Sequence, residues 1–178
     1  MLNNMEYIKK YNSKIGTICL SSDGEYLTGL WFLNSHDQNK HSNCIEKDLD
    51  IFDETIKWLN IYFSGKCPNF TPKYKIENLT PFRKKVINVM LDIPYGSLVT
   101  YKDIAIQIAK ERNIDKMSSQ AVGNAVGWNP ICIIIPCHRV MDSNMNLTGY
   151  GGEINNKIKL LEVEGHNINK FVISKKGN

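Results

Sequence analysis

The sequence has no apolar run long enough to cross a bilayer. Its longest, Ile131 to Ile135, falls far short of the roughly 20 residues a membrane helix needs. The opening residues Met1-Leu2-Asn3-Asn4-Met5-Glu6 lack the basic segment and apolar stretch of a secretory signal, so a cytoplasmic location is expected. There is no Cys-x-x-Cys, no internal repeat, no low-complexity tract and no glycine-rich phosphate loop. The five cysteines, Cys19, Cys44, Cys67, Cys132 and Cys137, are odd in number and unevenly spaced. Without an export signal, a disulfide framework is not expected and the thiols should be reduced. Low hydrophobicity and high net charge, the marks of a disordered chain, are also missing: 42% of the 178 residues are hydrophobic, and 22 Lys and Arg stand against 18 Asp and Glu. A chain of this size can bury one core or two small ones.

What charge there is lies unevenly. Residues 1–78 carry 9 basic and 10 acidic side chains, whereas the remainder carries 13 and 8. A net +5 in the second part points weakly to a polyanionic partner, which solvated lysines would explain as well.

Residues 14–22 and 25–32 read as two strands about Asp23-Gly24, a dipeptide suited to a tight type I′ hairpin turn. The polar stretch 34–43, with His36 and His41, reads as a loop without a role. Ile56, Leu59 and Phe63 recur at helical spacing from Asp53, with Gly65 placed to end the helix, and the segment 66–75 leads out of this first unit. The boundary is set at residue 78, giving units 1–78 and 79–178. Thr80-Pro81 supplies a cap and a proline at the first helical position, with Phe82, Val86, Val89 and Ile93 on one face until Pro94-Tyr95-Gly96 breaks the helix. Thr100 precedes a second helix with Asp103 three positions on. Ser118 caps a third, short helix through Val126. The last two suggest a helix-turn-helix. Ala121, Gly123, Ala125 and Gly127 are unusually small for a helix, where glycine costs about 1 kcal/mol relative to alanine. Something approaches closely, either a neighbouring helix or a nucleic-acid groove.

After Asn129-Pro130, the run Ile131–Ile135 reads as a buried strand ended by Pro136, and Cys137-His138-Arg139-Val140 follows. A cysteine beside an apolar run is more often inert packing than chemistry. An adjacent imidazole changes that balance, because it can take the thiol proton while a carboxylate on its other nitrogen holds the tautomer. Glu162 and Glu164 are the available carboxylates. A zinc site on Cys132, Cys137 and His138 would need a fourth ligand that no spacing provides.

Ile135-Pro136-Cys137-His138-Arg139-Val140, preceded by Asn129-Pro130 and followed by Thr148-Gly149-Tyr150-Gly151-Gly152, resembles the O6-alkylguanine-DNA alkyltransferases. The resemblance extends from about Thr80 to Gly165 through Ile93-Pro94-Tyr95-Gly96, Thr100-Tyr101, Ala121-Val122-Gly123 and Leu160-Leu161-Glu162-Val163-Glu164-Gly165. Residues 1–78 fit only by length and element order. The resemblance implies an α+β fold: a small ribonuclease H-like sheet-and-helix domain, then a mostly helical, winged-helix-like helix-turn-helix domain that binds DNA and carries the active cysteine. It implies a monomeric, cofactor-free and metal-free suicide methyltransferase acting on double-stranded DNA, with no membrane. Such a protein flips an O6-alkylated guanine and takes the alkyl group permanently onto Cys137; O4-methylthymine is left open as a second substrate.

By the same resemblance, His138 is the base acting through a water, Glu164 orients His138, Asn129 braces the loop, and Tyr101 donates a proton to N3 of the leaving guanine. Val140 and Gly151 main-chain groups read the base edge, and Tyr150 with Gly151 and Gly152 closes the pocket. Thr100, Gln120, Ala121, Gly123 and Asn124 face the DNA. Two positions depart from the family pattern: Gln120 stands where an arginine is usual, and Glu153 follows the pocket glycines. Arg139 is expected in a structural hydrogen-bond role. The rival readings are a damage sensor that flips without transfer, a helix-turn-helix regulator and a cysteine hydrolase.

Overall fold

The computed structural model describes residues 6–33, 35–36, 44–147 and 153–172. Three strands, β1 (Tyr7–Ser13), β2 (Gly16–Ser22) and β3 (Leu27–Phe32), form an antiparallel meander, and β4 (Ile45–Glu46) adds to β1 in parallel, giving the order β3-β2-β1-β4. Ile18, Cys19, Leu20, Ser21 and Ser22 of central β2 are all buried, so both of its faces are covered. The β2–β3 connection differs from the expected two-residue turn. Asp23 Oδ1 accepts the backbone N–H groups of Glu25 and Tyr26 at 3.1 and 2.9 Å, and the register shifts at Ser21/Ser22. The aspartate thus widens the turn to four residues. β1, absent from the sequence reading, has no fully buried residue, and the adjacent Lys9 and Lys10 interrupt its apolar pattern.

Helix α1 (Asp50–Phe63) begins three residues earlier than its expected start and buries Ile51, Phe52, Thr55, Trp58, Leu59, Tyr62 and Phe63. That spacing is one face of a 3.6-residue period. Gly65, at φ +81°, ends it by donating its N–H to Tyr62 O at 3.0 Å. The chain then returns along β3, where Leu27 and Lys73–Lys75 exchange backbone hydrogen bonds.

Helices α2 (Pro81–Leu91), α3 (Tyr101–Glu111), α4 (Ser119–Gly127) and α5 (Ile154–Val163) make up the second part. The expected caps are present. Thr80 accepts from Arg83 N, Ser118 from Ala121 N, and Thr100 forms a reciprocal capping box with Asp103. α3 and α4 pack together as a helix-turn-helix, and Val122, Ala125 and Val126 turn inward from α4. Strands β5 (Val99–Thr100) and β6 (Val140–Met141) pair in parallel beneath it.

Residues 131–135 are buried, as expected, but do not form a strand. Ile133 lies at φ +71° inside a tight turn closed by Ile134 N–H to Cys132 O at 2.8 Å, and Ile135 N–H returns to Ile131 O at 3.1 Å. A β-branched residue at positive φ is strained by about 1–3 kcal/mol. The turn is held from outside: Leu30 N–H donates to Pro130 O at 3.0 Å, and Cys132 N–H to Leu30 O at 2.9 Å. A single apolar cluster runs from β2, β3 and α1 through this turn into α2, α3 and α4. The segment leading to Cys137 is therefore fixed by the amino-terminal sheet.

Leu30→Ala should cost about 2–5 kcal/mol of stability. Urea unfolding followed by circular dichroism and by Cys137 thiol reactivity is expected to move to lower denaturant by the same amount with both probes.

Candidate active site

Cys137 begins a short 3-10 turn, Cys137–Arg139, entered through Pro136, whose φ of −82° and ψ of 61° place it at the centre of an inverse γ-turn. Cys137 N–H accordingly donates to Ile135 O at 2.8 Å. Asn129 ties this turn together. Its Nδ2 donates to Ile135 O at 2.9 Å and to Cys137 Sγ at 3.1 Å, while its Oδ1 accepts Ile131 N–H at 3.0 Å. The amide braces the loop and also offers a donor to the sulfur, which favours the thiolate.

His138 is fully buried, and its Nε2 lies 2.6 Å from Glu164 Oε1. Glu164 stands just past α5 and accepts from several segments. Arg139 Nε reaches Oε2 at 2.9 Å and Oε1 at 3.1 Å, Arg139 Nη2 reaches Oε1 at 3.0 Å, and Gly96 N–H donates to Oε2 at 3.0 Å. Tyr62 Oη also donates to Oε1, at 2.8 Å. Burial pushes the Glu164 carboxyl upward, but His138 and Arg139 outweigh it and hold the group well below the usual carboxylate range. Burial takes His138 below its ordinary value, against the pull of Glu164. The Arg139 guanidinium, the Tyr62 hydroxyl and the Gly96 N–H also hold the Glu164 charge, so His138 can be neutral at pH 7. An ionised carboxylate on Nε2 requires the proton there. Nδ1 then carries the lone pair, and among the described residues this buried atom has no hydrogen-bond partner.

Tyr101 opens α3, with its ring beside Gly123 of α4, where an added Cβ would come to 3.8 Å. Burial, with Cys137 and Asp142 nearby, pushes its hydroxyl up to about 12, so it remains a proton donor at neutral pH. The small-residue question thus has a divided answer. Ala125 packs inward, Gly123 borders Tyr101, and Gly127 meets open space. On α4, Gln120 and Asn124 are exposed, and Ala121 and Gly123 are partly so. Thr100 has its hydroxyl engaged in the α3 cap. Val140 is buried in β6. Tyr150, Gly151 and Gly152 lie outside the described residues, as does the 34–43 loop apart from Ser35 and His36. Glu153 is exposed at the start of α5.

Arg139 does take a structural role, since Nη1 donates to Ile93 O at 2.7 Å while the rest of the guanidinium clamps Glu164. Trp128 is half-buried, with the Arg83 guanidinium 4.0 Å above its ring. This contact ties the end of α4 to α2.

Two site residues escaped the sequence reading. Tyr62 comes from the far end of α1, and nothing in its periodicity says which residue its hydroxyl meets. Lys157 was detectable: it precedes Leu160, Leu161 and Glu164 by three, four and seven positions, the spacing of one helical face. It is fully buried with Nζ donating to Val140 O at 2.6 Å. Burial lowers its ammonium to about 8, against the opposing influence of Cys137 and Asp142.

A lysine depressed from its ordinary value makes the unfolded chain bind more protons between about pH 8 and 10, so stability rises with pH there. Lys157→Met should flatten that rise, which amounts to about 3 kcal/mol at most, as measured by urea unfolding at pH 7.5 and 9.5.

Two family models match the chain. The 6-O-methylguanine DNA methyltransferase ribonuclease-like domain covers residues 7–75, and the DNA-binding domain of the same family covers residues 81–166. The methylated-DNA--protein-cysteine methyltransferase of Methanosarcina barkeri is 38% identical over 162 residues, covering 91% of this chain and 99% of its own. The protein of the same name from Mycobacterium tuberculosis is 37% identical over 160 residues, covering 90% and 93%. The crystal structure of the M. tuberculosis O6-methylguanine methyltransferase superposes with a TM-score of 0.77 at 36% identity over 90% of this chain and 93% of that one. M. tuberculosis OGT in complex with DNA gives 0.76 at 37% identity over 89% and 92%. With both halves matched and more than a third of residues shared across most of its length, the chain belongs to the 6-O-methylguanine DNA methyltransferase family.

Proposed function

We propose that this protein reverses alkylation of guanine in double-stranded DNA, transferring the alkyl group from O6 to its own Cys137 once and irreversibly. The observation that carries this reading is the thiol between an amide donor, Asn129, and a histidine whose Nε2 is occupied by Glu164, leaving Nδ1 as the lone-pair nitrogen. Through a bridging water, Nδ1 takes the thiol proton. The thiolate then attacks the alkyl carbon in line, forming an S–C bond as the C–O6 bond breaks and its electron pair passes to the guanine. Tyr101 donates toward N3, which makes guanine a better leaving group. The proton on His138 balances the charge. Attack at an sp³ carbon needs no oxyanion hole, and the thioether has no route back to thiol, so one chain serves one lesion.

A base inside a duplex is out of reach of a buried thiol, so the guanine is flipped, at a cost of a few kcal/mol that damage reduces. α4 enters the minor groove in this reading, which the exposure of Gln120 and Asn124 beside the small Ala121 and Gly123 supports; small side chains admit the backbone there and the degenerate base pattern gives little sequence preference. Val140 O accepts from Lys157 and retains a second lone pair for the base edge.

Intact-mass measurement and peptide mapping after incubation with a duplex holding one O6-methylguanine should show one added methylene per chain, on Cys137, and none in Cys137→Ser. Tight binding without the mass gain would favour a damage sensor, and neither would reject the reading. A duplex with O4-methylthymine, run alongside, decides whether the same alkyl transfer reaches a pyrimidine.

Gln120 fills the gap left by the flipped base with hydrogen bonds but no charge. Gln120→Arg should tighten binding to the damaged duplex about ten-fold, the worth of one charge-assisted hydrogen bond, in a fluorescence titration at constant salt.

A further inference from the structure

The amino-terminal unit places one hydroxyl against the buried His138–Glu164 pair. Tyr62 is the penultimate residue of α1 and fully buried. Its ring stacks on Trp58 at 5.5 Å and meets Phe63, Tyr95 and His138 edge-on at 5.3, 5.9 and 6.3 Å. This packing leaves the ring one orientation, in which Oη is 2.8 Å from Glu164 Oε1 and 3.2 Å from His138 Nε2. We propose that Tyr62 is a positioning residue that sets the proton affinity and tautomer of His138, so that α1 tunes the base serving Cys137. This deepens the reading of Cys137 as nucleophile and rests on it.

Burial beside Glu164 raises the phenol well above its ordinary value, so Tyr62 stays protonated and its single proton is committed to the carboxylate. Its oxygen therefore offers only lone pairs to Nε2, which reinforces the proton there and leaves Nδ1 as the base. The hydroxyl also takes up part of the carboxylate charge. Glu164 Oε1, at 2.6 Å, is the closer acceptor for Nε2, so the larger consequence of removing the hydroxyl acts through Glu164. Its negative charge then falls more fully on the imidazole and holds a second proton more tightly. The other groups around His138 oppose or leave this effect in place: Arg139 on its own turn and Lys157 on α5 disfavour the imidazolium. Tyr95, which donates to Val163 O at 3.0 Å, reaches the pair through the Tyr62 ring and under Arg139.

Tyr62→Phe keeps the ring and removes the hydroxyl. The His138 imidazole, followed by NMR in the free protein, should titrate about half a pH unit higher or more. Methyl transfer should be several-fold slower than in the parent at the acid end of its pH profile and converge with it at alkaline pH. Tyr95→Phe removes a neighbouring hydroxyl bound to a backbone carbonyl, and should lower the melting temperature without moving the His138 titration. An unchanged or lowered His138 midpoint in folded Tyr62→Phe overturns the proposal, as does a transfer defect of equal size at every pH. The titration is read without DNA, so its outcome is separate from whether the parent accepts a methyl group.

Discussion

The buried carboxylate of Glu164 joins four parts of the chain that are distant in sequence. It accepts from Tyr62 at the end of α1, Gly96 in the turn after α2, and His138 and Arg139 in the turn after the thiol. A charge taken out of water costs several kcal/mol unless donors replace the lost hydration. Here the guanidinium, imidazole, phenol and backbone amide do so together. None of these donors can be withdrawn without leaving the anion short, so the same requirement that keeps Glu164 stable fixes where Cys137 and His138 stand. The chemistry inherits its geometry from the electrostatics of burial.

The thiol is positioned by a second constraint of a different kind. Asn129 spans the loop with both ends of its amide, and β3 holds the loop from below through Leu30. The strain at Ile133 is tolerable because the backbone hydrogen bonds around it close the turn. Together these contacts explain how the amino-terminal sheet takes part in the candidate site. β3 contributes a backbone rail to the loop, and α1 contributes a phenol to the carboxylate.

Much of the second half was legible in the chain itself. Thr80, Thr100 and Ser118 mark helix starts because a short side-chain oxygen satisfies an orphan N–H within three residues, a local interaction that spacing alone records. Gly65 ends α1 for an equally local reason. The strand expected over Ile131–Ile135 failed because burial and β-branching are shared by strands and by tight buried turns, and the turn is decided by partners some 100 residues away. β1 was missed because the adjacent Lys9 and Lys10 interrupt the apolar pattern of Tyr7, Ile8 and Tyr11, so its place comes from backbone pairing with β2.

The sequence by itself determined the capped starts of α2, α3 and α4, the end of α1 at Gly65, the adjacency of Cys137 and His138 and the family motif around them, because each depends on neighbours within one or two turns. Only the tertiary structure decided that Glu164 reaches Nε2 and leaves the lone pair on Nδ1, that Arg139 clamps the carboxylate, that the Lys157 ammonium meets Val140 O, and that Tyr62 joins the pair. Those outcomes depend on which polar groups are buried together. Burial together is a property of packed elements, which no local spacing encodes.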